Sequence, residues 1–484
     1  MSDIGFASGV KLAEMLRNKE LSATELLTYY QDRVSRHNPD LNAIIELDMD
    51  RALERADAAD KALASGDNWG ALHGVPMTIK ESFDVAGLHT TRGNPAYRDH
   101  IADRDALAVT RLKSIGVNLF GKTNVPLDLA DFQSYNDIYG TTNNPWDPTR
   151  NAGGSSGGSA AALAAGLTGV ENGSDIGGSI RNPAHYCGVF GHKPTWGVLP
   201  PRGHAAPGVL AQSDLAVIGP LARSAYDLEV LFTAQAGPDE IQAQGYQLAL
   251  TQPRFKSLGE LRVAAMVNSE IAPVSRACEQ RVEAVLQVIR DAGGEVDYEA
   301  RPDVDLRAGH DAYQTLLWAV MASRATEDAY EQLTREVASL ARDDNSERAR
   351  NLRARAASYR DYSTANETRT HIRWAWHDFF KGYDVLITPM MATPAFPHDH
   401  RPFGQRTLEV DGQARPYFEQ LFWAGIAVNS YLPATVIPTG ALGEGLPVGV
   451  QIIGPEFGDL TTMAVARLLE DQGLIFVPPP GYLD

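Results

Sequence analysis

The chain has 484 residues, with 61 acidic side chains against 43 basic ones and a formal net charge of −18. That balance argues against nucleic acid or an anionic membrane surface as a partner, and the acidic residues are dispersed, the pattern of a solvated face rather than a tail. Two cysteines, Cys187 and Cys278, make neither a disulfide framework nor a zinc spacing. No apolar run reaches the roughly 18 residues that would suggest a bilayer span. Met1 to Gly9 lack the basic-then-apolar order of a secretory signal, so a cytoplasmic enzyme is the simplest expectation.

Helical spacing opens the chain over Ser8–Asn18 and Ser22–His37, the second beginning with the capping pattern Ser22-Ala23-Thr24-Glu25. Asp48–Ser65 reads as an alanine-rich charged helix. Leu72 to Glu81 is an apolar segment with alternating character that ends in a single charged pair, and reads as a strand delivering Lys80. Asn118 to Gly121 is a second short strand, and Ala160 to Gly166 a good helix former. Further on, Leu261–Val267 predicts a strand and Pro273–Ala292 its following helix. Residues 300–382 predict mostly charged helix, and Tyr383–Pro389 a buried strand. Strands alternating with helices imply a mixed sheet covered on both faces.

Two glycine-lined serine segments stand out, Gly153-Gly154-Ser155-Ser156-Gly157-Gly158-Ser159 and Asp175-Ile176-Gly177-Gly178-Ser179-Ile180-Arg181. Glycine lets such a backbone bend sharply and approach a substrate closely. The arrangement suits hydroxyls and bare N–H groups presented to a reacting carbonyl. A serine needs a base to become a nucleophile. A lysine serves if its pKa falls from about 10.4 toward 7, which costs roughly 4–5 kcal/mol and demands burial. Lys80, at the end of an apolar strand, fits that demand; the bland alternative is a solvated surface lysine.

These segments, with Gly74-Val75-Pro76, Gly121-Lys122-Thr123-Asn124, Asn144-Pro145-Trp146-Asp147, Gly191-His192-Lys193-Pro194-Thr195, Gly219 to Arg223 and Pro447 to Gly454, resemble the amidase signature family of Ser-cisSer-Lys hydrolases in both order and spacing. The resemblance covers nearly the whole chain. It implies one α/β unit over residues 1–484, a large αβα sandwich with a mixed central sheet. The catalytic core would lie at about 70–235 and 383–470, with a variable helical region on the substrate side at about 300–382. It implies Ser179 as the acylated nucleophile, Ser155 as the bridging serine next to a cis peptide, and Lys80 as the base. The N–H groups of Ile176, Gly177, Gly178 and Ser179 would form the oxyanion hole. Ser156, Asp175 and Arg181 would support, the last two as a buried charge pair that fixes the loop. His192 departs from the usual Gly-Leu-Lys-Pro-Thr and reads as a packed histidine rather than a second base.

The expected reaction is hydrolysis of small to medium apolar or aryl carboxamides, without cofactor or metal. Carbamate (urethane), ester or anilide hydrolysis by the same triad is the alternative. A glutamine-hydrolysing component of a tRNA-dependent amidotransferase is disfavoured, because residues 340–382 show no clear glutamine-gripping segment. Candidate pocket residues are Leu129, Phe132, Leu210, Leu316, Phe396 and Trp423, an apolar and aromatic wall. No Gly-rich phosphate loop ends in Lys-Ser/Thr, no H-E-x-x-H occurs, and no G-x-S-x-G marks a Ser-His-Asp enzyme. His398-Asp399-His400 offers metal-ligand types, but nothing distant completes a coordination sphere. The sequence leaves oligomeric state open, a homodimer being the commonest closed arrangement. A catalytically dead binding module would be expected to have lost Lys80, Ser155 or Ser179, and all three are present.

Overall fold

The computed structural model describes residues 4–440 and 445–483, so the ends of the expected 1–484 unit and part of the Met1–Gly9 segment lie outside the described residues. Fourteen α-helices are described: α1 (Gly9–Arg17), α2 (Ala23–Leu41), α3 (Met49–Ala64), α4 (Leu107–Ser114), α5 (Gly157–Ala164), α6 (Arg181–Cys187), α7 (Ala225–Gln235), α8 (Arg276–Asp291), α9 (Leu306–Ala322), α10 (Glu327–Ala338), α11 (Glu347–Arg355), α12 (Tyr359–Phe379), α13 (Leu421–Asn429) and α14 (Asp459–Asp471). The α2 start is a complete capping box, in which Ser22 and Glu25 satisfy each other's backbone N–H.

The strands form two principal sheets. The smaller contains β1 (Ile44–Leu47), β2 (Pro76–Lys80) and β3 (Asn118–Thr123) in the order β1-β3-β2, with β2 parallel and β1 antiparallel to β3. The larger contains β4 (Glu171–Asp175), β5 (Phe190–Lys193), β6 (Val217–Ala222), β7 (Arg262–Ala265), β8 (Glu295–Asp297), β9 (Val385–Pro389), β10 (Ala434–Pro438) and β11 (Gly449–Ile453). Its eight strands run β8-β7-β9-β11-β10-β5-β6-β4. It is mixed: β7 is parallel to β8 and β9, whereas β11 is antiparallel to β9 and β10.

Helices cover both faces. Thr435 of β10 turns to Thr462 of α14, while the neighbouring Val436 meets Gly449 beside His185 of α6. This is the αβα sandwich the resemblance implied, with one apolar cluster running from Leu12 to Phe476 and a smaller one around Trp376, Phe422 and Trp423. The two sheets meet where Met77 of β2 bridges Val170, just ahead of β4. That junction brings the end of β2 beside the end of β4, and the site lies there.

Candidate active site

Lys80 is the last residue of β2, whose five residues are all buried. A strand covered on both faces carries its terminal side chain into the interior, and Lys80 is 0% exposed. Its Nζ lies 2.7 Å from Ser155 Oγ, 2.9 Å from Ser156 Oγ and 2.9 Å from Ser174 Oγ. Burial among hydroxyls drives its pKa well below the ordinary lysine range, against the pull of Asp175. Asp175 itself is engaged elsewhere, paired with Arg181. The nearby Glu171 takes hydrogen bonds from Thr78 and the Asn172 N–H, and burial pushes it up to about 8. Glu171 and Asp175 both favour an ammonium at Lys80, and desolvation of the buried amine outweighs them.

The Gly154–Ser155 peptide is cis. A Cβ on Gly154 would fall 2.3 Å from Asp131 O and 2.8 Å from Gln133 N, so only glycine lets the 131–133 backbone cross at this point. The Ser156 N–H donates to Ser179 O at 3.1 Å and ties the two serine loops together. Exposure rises from Lys80 (0%) through Ser155 (1%) to Ser179 (7%). Among the described residues no hydrogen bond joins the Ser155 and Ser179 hydroxyls.

The loop after β4 is set by Asp175. Its carboxylate accepts the N–H groups of Gly178 (2.9 Å) and Ile180 (3.1 Å) and pairs with Arg181, both side chains being inaccessible to solvent. Arg181 continues to Ala424 O on α13 and to Gln451 on β11. The Gly178 N–H, one of the four expected oxyanion donors, is thus already held by the Asp175 carboxylate. The N–H groups of Ile176, Gly177 and Ser179 have no partner among the described residues.

The expected pocket residues divide. Phe132 packs against Tyr417 and Phe418, and Phe396 against Tyr186 and Tyr417. Leu129 is partly buried, with φ of 63° directly after Asp128 at 49°. Leu210, 81% exposed, stands in solvent and forms no wall. Leu316 is wholly buried in the large core, on the inward stripe of α9. Trp423 is buried in the smaller cluster, its indole N–H donating to Ala272 O.

Other residues take their place beside Phe132. Trp318 and Phe403 both pack edge-on to Phe418, making a four-ring wall drawn from three segments. Arg406 and the Tyr417 hydroxyl bind the buried Asp131 at 2.6 Å each, which fastens the 403–418 segment over the loop carrying Phe132.

Sequence reasoning missed Ser174, Glu171, Trp318 and Tyr417. Ser174 was findable, since it immediately precedes Asp175 in the strand that enters the nucleophile loop; Trp318 and Tyr417 carry no local signal. His192 is packed as expected, fully buried between Thr435 and Asp459, with burial lowering its pKa. In the His398–His400 segment, Asp399 pairs with Arg401 and His400 stacks on Tyr135. Among the described residues no group of three His, Cys, Asp or Glu side chains could hold a metal ion. No described helix is long and apolar enough to cross a membrane.

The Amidase family model matches residues 25–463. The chain belongs to the amidase family. It is 33% identical over 479 residues to an indoleacetamide hydrolase of Bradyrhizobium diazoefficiens, covering 96% of this chain and 86% of that one. It is 30% identical to one of the subunits of the glutamyl-tRNA(Gln) amidotransferase of Caldanaerobacter subterraneus, covering 95% of both. A solved bacterial aryl acylamidase superposes with a TM-score of 0.80 at 23% identity, covering 99% of this chain and 98% of that one, a likeness of fold. The amidase is accordingly a hydrolase of amide carbon–nitrogen bonds.

Proposed function

We propose that this amidase hydrolyses small to medium apolar or aryl carboxamides through an acyl-Ser179 intermediate. The observation that carries the reading is Lys80, fully buried with three hydroxyls around Nζ and no carboxylate paired to it. As the free amine it has two N–H groups and one lone pair. Donation to Ser156 and Ser174 leaves the lone pair for the Ser155 proton. Ser155 in turn takes the proton of Ser179 as that hydroxyl swings toward it, and Ser179 Oγ adds to the carbonyl carbon.

The negative charge then forms on the former carbonyl oxygen and meets the N–H groups of Ile176, Gly177 and Ser179. Collapse breaks the C–N bond, and the relay returns a proton to the leaving nitrogen. Water, deprotonated by the same relay, releases the acid and restores Ser179. The aryl preference draws on the wall of Phe132, Trp318, Phe403 and Phe418 and on the kinship with an indoleacetamide hydrolase. Aromatic faces of this kind stack on a planar acyl or leaving group.

The test is intact-protein mass spectrometry after exposure to a fluorophosphonate, beside turnover of matched aryl and aliphatic amides, anilides, esters and carbamates. One adduct at Ser179, its loss with activity in a folded Ser179→Ala variant, and faster turnover of aryl amides are expected. An adduct elsewhere, or near-normal turnover by Ser179→Ala, overturns the assignment. Preference for carbamates or esters would keep the triad and replace the substrate class.

A further inference from the structure

We propose that Tyr313 is a positioning residue for this reaction, holding the Ile176–Gly177 peptide so that the Gly177 N–H faces the oxyanion; the inference rests on the acyl-serine reading above. The Tyr313 hydroxyl donates to Ile176 O at 3.0 Å. In a trans peptide the C=O and the next residue's N–H point in opposite directions across one rigid plane, so a bond that fixes the Ile176 carbonyl also fixes the Gly177 N–H. That N–H has no partner among the described residues and is the central donor of the three left once Asp175 has taken Gly178.

The neighbouring donor is held by the same device with different material. Gly178 O accepts the Asn182 N–H at 2.6 Å, which sets the Gly178–Ser179 peptide and hence the Ser179 N–H. There the clamp is main chain from α6, next in sequence, and it forms whenever that helix forms. The Gly177 clamp is one side chain from α9, 137 residues away, so it exists only when α9 is docked.

Tyr313 is itself fixed. It is 0% exposed, and a Cβ on Gly425 of α13 would fall 2.5 and 2.7 Å from its ring, so the ring occupies a slot that glycine leaves open. Burial raises the phenol's pKa, which keeps it a donor across the working range. A buried phenol must find an acceptor, and the one Tyr313 finds is the carbonyl that sets the Gly177 N–H.

Tyr313→Phe keeps the ring and removes one hydroxyl. Deleting an oxyanion donor outright costs about 100- to 1000-fold. Loosening one should lower kcat by about 10- to 100-fold, with KM within about twofold, on an anilide and a p-nitrophenyl ester of one aryl acid. The inhibition constant of a phenylalkyl trifluoromethyl ketone, which Ser179 converts to an oxyanion, should rise by the same factor. That of the corresponding trifluoromethyl carbinol, which forms none, should stay put.

Equal losses for ketone and carbinol, or kcat within twofold of wild type, overturn the proposal and leave Tyr313 as packing. Should circular dichroism show Tyr313→Phe unfolded, Gly425→Ala carries the test: the added methyl displaces the ring, and the same separation of ketone from carbinol is expected or its absence is decisive. Failure of the wild-type protein to form a Ser179 adduct with the fluorophosphonate overturns both readings, whereas a labelled, active wild type with an unchanged variant overturns this one alone.

Discussion

At Lys80 the charged form has little to recommend it. An ammonium there would be buried, surrounded by three neutral hydroxyls, with its one strongly ionised neighbour, Asp175, already paired to Arg181. Its folded pKa lies well below the 10.5 of a free lysine, so between those two values the unfolded chain binds the extra proton and the folded chain does not. Two consequences follow with the same sign but in adjoining ranges: stability gains from this group as pH rises through that window, and in the proposed relay activity rises below it, as the folded lysine becomes the amine that accepts the Ser155 proton. The rate should climb with pH up to the folded pKa of Lys80 and then level. General-base contributions of about 10²- to 10⁴-fold are typical, and Lys80→Ala should lose about that much and lose the rising limb with it. A pH–rate series on both proteins checks this; a limb that survives in Lys80→Ala would belong to another group.

Among the elements, the joint between β4 and α6 depends on Asp175, which pins two loop N–H groups and neutralises Arg181. Removing one partner of a buried pair typically costs about 3–5 kcal/mol, because the other charge is stranded. Asp175→Asn should destabilise the protein by that order in urea unfolding, and a loss under about 1 kcal/mol would mean that Arg181 finds solvent or another acceptor. Local elements of this kind were largely legible. The Ser22/Glu25 box stands where it was read, the strand ending in Lys80 begins at Pro76 rather than Leu72, and the helix after Pro273 spans Arg276–Asp291, because caps and periodicity are local.

The hairpin Thr407–Val410 with Gln413–Pro416 was missed despite its Asp411-Gly412 turn, both residues at positive φ, which is a readable signal. On α9 the error was one of phase. Ala312, Tyr313, Leu316 and Leu317 form the buried stripe, while Gln314 and Trp318, bonded to each other at 2.7 Å, lie on the flank that reaches Phe418. Sequence alone reveals that a stripe exists, not which neighbour covers it.

Over the whole molecule the proposed site is an intersection, with Lys80 from the small sheet, Ser179 from the loop after β4, Trp318 from α9 and Phe418 from the segment before α13. Signature spacing made the first two legible, and only the fold could supply the others. The chain as a whole carries a formal net charge of −18, and a field of one sign acts on any charged substrate before contact. Its reach is about 30 Å at 0.01 M salt and about 3 Å at 1 M.

For a neutral aryl amide, kcat/KM should change by less than about twofold between these salt concentrations. The same amide with a carboxylate on its ring approaches against the field. Its kcat/KM should begin lower and rise by about 10-fold as salt screens the repulsion, at the low end of steering effects. Steady-state rates on the pair at four ionic strengths decide it. If the anionic substrate instead slows as salt is added, a local cation outweighs the net charge; the guanidinium of Arg92, whose backbone N–H is bonded to the Glu81 carboxylate next to Lys80, is then the first residue to replace.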